Sequence, residues 1–213
     1  TRVEVRDLFY ATPARLKFMK APQTERNHAA DVVRRLAMAH PEIAFSFSDG
    51  ARSLIKLAPA QGDFLSAQLD RLDAIMGNEF GDNALAIDAE RESIRLSGHI
   101  GLPTLNRGNA ALQFLFVNGR PVRDKLLQGA VRAAYRDFLA HDRHPLLALF
   151  LDMPPELVDV NTHPAKTEVR FRDPGLVRGL IVSALKHALA EAGHRASTTV
   201  SNMALGALRP RSE

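Results

Sequence analysis

Short strand-like runs alternate with amphipathic helical runs along the sequence, and this alternation limits the possible folds more than any other feature. Residues 43–47 and 53–57 form short alternating runs with the pair Asp49-Gly50 between them, which predicts a hairpin. In residues 23–40, apolar side chains recur at the spacing of one helix face. Strands that alternate with helices favour a two-layer α+β (α/β) fold, and the hairpins predict mixed rather than purely parallel sheets.

The same patterns place the remaining elements and divide the chain. The predicted helices cover residues 23–40 with Thr24 as N-cap, 64–76, a run from the N-cap Asp124 to Phe138, and 174–192. The predicted strands cover residues 3–8, 43–47, 53–57, 84–89, 93–100, 112–117, 146–151 and 168–171, with a loop at 102–109. Residues 58–62 carry Pro and Gly and predict a domain boundary, which separates a first section (residues 1–60) from a second section (residues 64–192). Residues 193–213 are expected to form a linker or disordered tail.

Composition excludes several classes of protein. The absence of cysteine excludes disulfides and cysteine-based zinc or iron–sulfur sites, which is typical of a cytoplasmic protein. No apolar run is long enough to span a membrane. The chain starts without Met inside a strand-like pattern, so we expect it to be part of a longer protein. Its net charge of +4 permits nucleic-acid binding if the cations share one face.

A polar loop at residues 159–167 carries a lysine between two strand-like runs. A lysine held on such a loop can place its ammonium group at a fixed point, and phosphate is a common ligand for such a charge. Lys166 is therefore a candidate phosphate-binding residue, although an exposed loop lysine without a ligand has the same pattern. His163 lacks neighbouring ligands at metal-binding spacing, which favours a structural role.

Basic residues cluster around the turn at Asn118-Gly119 and along the helix that follows. Arg120, Arg123 and Lys125 surround the turn, and Arg132 and Arg136 follow on the helix. At about 100° per residue, positions 125, 132 and 136 form one stripe opposite the apolar face. Such a stripe can neutralise several phosphates and bind DNA without reading its sequence, although a solvated helix face remains the alternative.

A third segment, residues 7–18, reads DLFYATPARLKF and is typical of a strand-to-helix connection. No Walker-type loop and no G-x-S-x-G elbow occurs in the sequence. We therefore expect no catalytic residues and no metal ligands in this chain. If ATP is involved, most of its pocket must lie elsewhere.

Three motifs in order resemble the MutL family of DNA mismatch-repair proteins: LFYATPARLKF at residues 8–18, VNGR at 117–120 and DVNTHPAKTEVRF at 159–171. The family belongs to the GHKL-type ATPases, with DNA gyrase, Hsp-type chaperones and histidine kinases. The resemblance implies that residues 1–60 end the ATPase (nucleotide-binding) domain. It also implies that residues 64–192 form the transducer domain, a ribosomal-protein-like βαβ fold. At two positions the sequence departs from the family pattern: Ala11 and Leu16 stand where the family usually has Asn and Arg.

The resemblance also implies roles for particular residues. Lys166 matches the transducer lysine that reaches the γ-phosphate of ATP, and Thr1 matches the threonine of the last ATPase motif. Lys125 matches a basic residue linked to DNA binding, and Arg120 is the arginine of VNGR. In the family, ATP and Mg²⁺ favour closure of a homodimer around DNA, with MutS and a downstream endonuclease or helicase as partners. The family's catalytic motifs are absent, so this chain alone is not expected to hydrolyse ATP.

Three alternatives remain open from sequence. A type II topoisomerase fragment shares the architecture, but its transducer lysine follows Gln-Thr, whereas Lys166 follows His-Pro-Ala. A ribosomal-type nucleic-acid-binding domain without ATP would explain the basic stripe but not the polar loop around Lys166. A protein-interaction module would need an exposed surface that the sequence does not locate.

Overall fold

The computed structural model describes residues 1–160 and 168–207, with side chains as far as residue 195. The first section begins with residues outside regular structure and a 3₁₀ helix at Pro13–Phe18. Helix α1 (Pro22–Ala39) follows, and then a hairpin of strands β1 (Phe45–Asp49) and β2 (Arg52–Leu57). The predicted hairpin is confirmed, since β1 and β2 pair in antiparallel fashion.

The second section holds the remaining elements. They are α2 (Phe64–Met76), α3 (Asn78–Asp82), β3 (Ala84–Arg91), β4 (Ile94–Gly101), β5 (Asn106–Arg107), β6 (Gln113–Val117), β7 (Arg120–Val122), α4 (Lys125–Tyr135), β8 (His144–Pro145), β9 (Leu147–Asp152), a 3₁₀ helix (Pro155–Leu157), β10 (Val158–Asp159), β11 (Arg170–Phe171) and α5 (Pro174–Ala207). Within the described residues, no helix is both long enough and apolar enough to cross a membrane.

A five-stranded sheet organises the second section, in the order β3-β4-β9-β6-β7. Strands β6 and β9 pair in parallel, and the other neighbours pair in antiparallel fashion. The predicted α+β class with a mixed sheet is therefore confirmed.

Strand β9 is buried on both faces of this sheet. One face of β9 packs into a core that also contains residues of α4 and α5, through Leu147, Leu149 and Leu151. Ala148 and Phe150 point to the opposite face, into a second core. A strand buried on both sides reads as a continuous apolar run, which is why residues 146–151 are almost entirely aliphatic or aromatic.

Helix α1 of the first section packs on the second core. Met38 of α1 is fully buried beside Leu72 of α2 and Phe116 of β6. The guanidinium of Arg35 lies 4.9 Å from the centre of the Phe114 ring. The two sections thus share a core on the sheet face opposite α4 and α5, although the domain boundary near residues 60–64 stays a prediction.

The structure corrects the start of the chain. Residues 1–6, expected to contain a strand, have no regular secondary structure, and Val3 and Val5 are 82% and 77% exposed. Alternation predicts a strand only where a neighbouring strand supplies hydrogen bonds and one face is covered. Helix α1 begins at Pro22 with Ala21 as its N-cap, so the prediction of Thr24 as N-cap is wrong. Proline at the first helical position has its φ already set for a helix and loses no hydrogen bond there.

The last helix is longer than the sequence predicted. We expected α5 to end near residue 192 before Gly193, but the helix continues to Ala207. A single glycine costs a helix only about 1 kcal/mol, and no proline lies between Gly193 and Pro210. The expectation that α5 ends near residue 192 is therefore wrong. The expectation of a linker or tail over residues 193–213 stays a prediction, and residues 208–213 lie outside the described part.

Candidate nucleic-acid interface

Helix α4 is fixed at both ends by specific hydrogen bonds. The Asp124 carboxylate accepts hydrogen bonds from the amides of Leu126 at 2.9 Å and Leu127 at 3.1 Å, which confirms the predicted N-cap. At the other end, the Tyr135 hydroxyl donates to the carbonyl oxygen of Gly101 at 2.6 Å. Burial raises the pKa of the Tyr135 hydroxyl, so this group remains a neutral donor. The helix is therefore held in a fixed orientation on the sheet.

Replacing Asp124 with alanine is expected to destabilise the protein by about 1 kcal/mol, because the amides at the start of α4 lose their acceptor. The amides of Leu126 and Leu127 should exchange faster with deuterium than in the wild type, and urea unfolding should report the lower stability. Asp124→Asn, which keeps a capping oxygen, should restore most of the protection. Unchanged exchange in Asp124→Ala would contradict the capping role.

The outer face of α4 lines a groove of about 680 Å³. Lys125, Arg132 and Arg136 all lie along it, as the helical spacing predicted. Arg143, from the segment before β8, and Arg178, from α5, complete the basic lining. Among the described lining residues there are five Lys or Arg and no Asp or Glu. Cations that converge without acidic neighbours create a local positive potential, which attracts phosphate groups.

Sequence reasoning missed Arg143 and Arg178. Arg143 is placed by a hydrogen bond from its Nε to the side-chain oxygen of Asn106, at 2.5 Å. Arg178 joins the groove because α5 packs beside α4 on the same face of the sheet. Neither residue shares a local motif with Lys125. Only the order of the strands and helices could have brought the three together.

The other two residues predicted to bind DNA lie outside the groove lining. The Arg123 guanidinium is 3.6 Å from the Asp31 carboxylate of α1. Arg120 begins β7 directly after the turn at Asn118 and Gly119, which both have positive φ. The structure thus brings Lys125, Arg132 and Arg136 together along one groove. Arg120 and Arg123 lie nearer the turn.

The turn before Arg120 is anchored by Asn118. Its side chain donates to the carbonyl oxygen of Met153 at 3.0 Å and accepts from the Met153 amide at 2.9 Å. The Asn118 amide also donates to the Leu151 carbonyl oxygen at 2.9 Å. The turn is therefore tied to the end of β9 rather than free to swing, so Arg120 starts from a fixed backbone.

The two residues predicted to bind nucleotide lie at the start of the chain and in residues 161–167. Lys166 and His163 lie in residues 161–167, outside the part of the chain that the structure describes. Thr1, the other predicted ATP-binding residue, is exposed. Within residues 1–160 and 168–207, no group of three His, Asp or Glu side chains could hold a metal ion. The ATP contacts predicted for Thr1 and Lys166 therefore stay predictions.

One buried titratable group lies away from the groove. His99 on β4 is 3% exposed, and burial lowers its pKa to about 4. The imidazole is therefore neutral at physiological pH and adds no charge to the protein. Its place on a central strand of the sheet indicates a structural role.

Comparison with known proteins places the chain among DNA mismatch-repair proteins. A family model described as "DNA mismatch repair protein, C-terminal domain" matches residues 72–190. The chain is 72% identical over 210 residues to the DNA mismatch repair protein MutL of Rhodospirillum rubrum, covering 99% of the chain and 33% of that relative. It is 65% identical to MutL of Paramagnetospirillum magneticum, covering 98% of the chain and 34% of that relative. The chain thus spans about a third of the length of the relatives it matches.

Solved structures share the fold. The Aquifex aeolicus MutL ATPase domain complexed with ADP superposes with a TM-score of 0.54 at 24% identity, covering 83% of this chain and 55% of that one. The N-terminal domain of a DNA repair protein superposes with a TM-score of 0.65 at 21% identity, covering 87% of this chain and 60% of that one. The fold of this chain is therefore shared with part of each of these two structures.

Proposed function

The chain belongs to the MutL family of DNA mismatch-repair proteins, and from this membership we propose that it joins the end of the nucleotide-binding domain to a DNA-binding transducer domain. In the whole protein, ATP binding and hydrolysis would be coupled to dimer closure, DNA binding and recruitment of repair partners. The second section would bind DNA, and the first section would carry the effect of nucleotide to it. Neither a topoisomerase fragment nor a nucleic-acid-binding domain unconnected with ATP is favoured, since the relatives are MutL proteins.

The basic groove along α4 is the observation that carries this proposal. Its five cations come from α4, from the segment before β8 and from α5, so they converge from three parts of the fold. Long cationic side chains on a groove suit the DNA backbone, because each can neutralise one phosphate without reading a base. The groove would therefore bind DNA with little preference for sequence, as a repair protein that acts at any site requires.

The nucleotide part of the proposal concerns the whole protein. The A. aeolicus relative was solved with ADP, which supports nucleotide binding by proteins of this family. ATP and Mg²⁺ would be held mainly by residues beyond this chain, with Thr1 and Lys166 as its own contributions. When bound, ATP supplies a triphosphate whose charge the Lys166 ammonium can meet.

The partners of the whole protein follow from its family. We propose that it acts as a homodimer with DNA, MutS and a downstream endonuclease or helicase. The compartment would be the bacterial cytoplasm, at the nucleoid during repair. The partner surfaces are not assigned to particular residues.

Salt dependence of DNA binding tests the proposal. A labelled duplex would be titrated with the full-length protein at several salt concentrations. If all five groove cations each neutralise one phosphate, the logarithm of the binding constant should fall against the logarithm of salt concentration with a slope of about −4.5. Duplexes of unrelated sequence should give the same slope. Binding that is insensitive to salt would contradict a phosphate-binding groove.

A further inference from the structure

Arg71 is a fully buried arginine between the two sections, although it is remote from the basic groove. It lies on α2, and the residue is only 2% exposed. Its Nη2 atom donates toward the carbonyl oxygens of Pro41 at 2.7 Å, Ile43 at 2.8 Å and Ala58 at 2.7 Å. All of these acceptors belong to the first section, whereas Arg71 belongs to the second.

These carbonyls lie where the β1–β2 hairpin joins the rest of the chain. Pro41 and Ile43 precede β1, and Ala58 directly follows β2. The amide of Ala60 also donates to the Pro41 carbonyl oxygen at 2.8 Å. We call the carbonyls of Pro41, Ile43 and Ala58 the neck of the first section. One guanidinium therefore closes both sides of the neck and holds it against α2.

The contacts of Arg71 are polar rather than ionic. Burial lowers the pKa of its guanidinium, and the Glu42 carboxylate acts in the opposite direction. Its guanidinium carbon lies 5.8 Å from the centre of the Phe45 ring. The second terminal nitrogen, Nη1, is buried without a hydrogen-bond partner among the residues that the structure describes, as is Oε1 of the neighbouring Gln68.

The neck adds directional polar contacts to an interface whose other part is the apolar core around Met38 and Leu72. A buried polar group without a hydrogen-bond partner raises the free energy of the folded protein. An arrangement of the two sections that supplies the missing partner is therefore stabilised. The neck is thus held by directional contacts that a small displacement would break together.

Helix α1 connects the neck with the start of the DNA-binding helix. It ends at Ala39, next to Pro41 of the neck. Nearer the middle of α1, the Asp31 carboxylate lies 3.6 Å from the Arg123 guanidinium. Asp124, the residue after Arg123, caps α4. Helix α1 thus joins the neck at one end to the residue that precedes the cap of α4.

We infer that Arg71 is the positioning residue through which the first section controls the DNA affinity of the groove. This inference rests on the proposed function, because it assigns a route between the two sections of a nucleotide-dependent DNA-binding protein. Arg71 touches neither DNA nor nucleotide. It acts by fixing the neck, and with it α1, on the second section.

The test compares Arg71→Met with wild type in the full-length protein, using DNA titrations with and without a non-hydrolysable ATP analogue. The analogue is expected to change the DNA affinity of the wild type about tenfold. In Arg71→Met this response should fall below twofold, while DNA affinity without nucleotide and affinity for the analogue change little. A loss of response with both affinities retained is a result that general destabilisation does not produce.

Arg95→Met serves as the matched control. Arg95 is an exposed arginine on β4 that pairs with Asp88, and its replacement should leave the analogue response intact. If Arg71→Met does not fold, Arg71→Gln, which keeps a side-chain donor, is held to the same criterion. A folded Arg71 variant with the full wild-type response would overturn the inference.

Amide hydrogen exchange in the wild type tests the neck without any variant. Binding of the analogue should change the protection of the amides of residues 42–45, Ala58 and Ala60 at least fivefold. Unchanged protection there would overturn the inference even if DNA binding responds to the analogue. Salt-insensitive DNA binding by the wild type would instead contradict the proposed groove, so the two failures are distinguishable.

Discussion

Replacing Lys125 and Arg132 together by glutamate is expected to weaken DNA binding about 100-fold at a salt concentration of about 0.05 M. Both residues line the groove along α4, and both are exposed, so the exchange should not disturb the core. Titration of a labelled duplex with the full-length variant and wild type at several salt concentrations measures the effect.

The expected size follows from counterion release. Each phosphate that a cation neutralises releases about 0.9 of a counterion, which at this salt concentration strengthens binding about tenfold. Losing both contacts should therefore cost about two orders of magnitude and reduce the salt slope by about 2. The difference in DNA affinity between the wild type and the variant should shrink at high salt, because screening weakens the contacts that Lys125 and Arg132 make in the wild type.

The control variant reverses the same amount of charge elsewhere. Arg52 and Lys56 are exposed on β2, outside the groove lining. Arg52→Glu with Lys56→Glu changes the net charge equally and should weaken binding far less, through the long-range field alone. Equal losses in the two double variants would show that net charge, rather than the groove, governs DNA binding.

The sequence could predict the part of the site that one helix carries. The spacing of Lys125, Arg132 and Arg136 depends only on the helical repeat, and the cap at Asp124 depends on local chemistry. These features follow from neighbours along the chain, so a single sequence was sufficient to find them. The family resemblance, carried by three motifs, was likewise readable from sequence and is confirmed by the relatives.

The rest of the site depends on topology. Arg143 and Arg178 reach the groove only because β9 pairs with β6 and α5 packs beside α4. Arg71 lies in an amphipathic helix that was predicted with the correct bounds, yet its acceptors are 13 to 30 residues away. A charged residue on an amphipathic helix reads as exposed in the sequence. Its burial could not be predicted, because the neck that covers it is distant along the chain.

The errors at the chain ends have a common cause. The alternation around Val3 and Val5 is a local signal, whereas a strand needs a partner to supply its hydrogen bonds. Gly193 is also a local signal for the end of a helix, but the alanine-rich residues around it sustain α5. At both ends of the chain, a local pattern predicted one structure, and the neighbouring residues or the absence of a partner strand produced another.

Gly98, in the middle of β4, occupies a position that no side chain can take without moving the sheet. Its φ is +129°, a conformation that residues with a Cβ atom rarely adopt. A Cβ atom placed there would lie 2.2 Å from the carbonyl oxygen of Ala148 on β9. That oxygen belongs to the backbone of a central strand, so it cannot rotate away as a flexible side chain would. A glycine inside a strand often marks such a close approach of two backbones.

Gly98→Ala is therefore expected to destabilise the protein by about 4 kcal/mol, the sum of backbone strain and steric overlap. This is a large fraction of the stability of a typical domain. Urea unfolding should show the loss, and faster amide exchange in β4 and β9 should locate it. Gly129→Ala provides the opposite case, because Gly129 lies within α4 and a Cβ atom there would meet no atom within 4 Å apart from its chain neighbours and the backbone of its own helix. That variant should gain about 0.5–1 kcal/mol from helix propensity, so similar effects of the two replacements would contradict the close contact at Gly98.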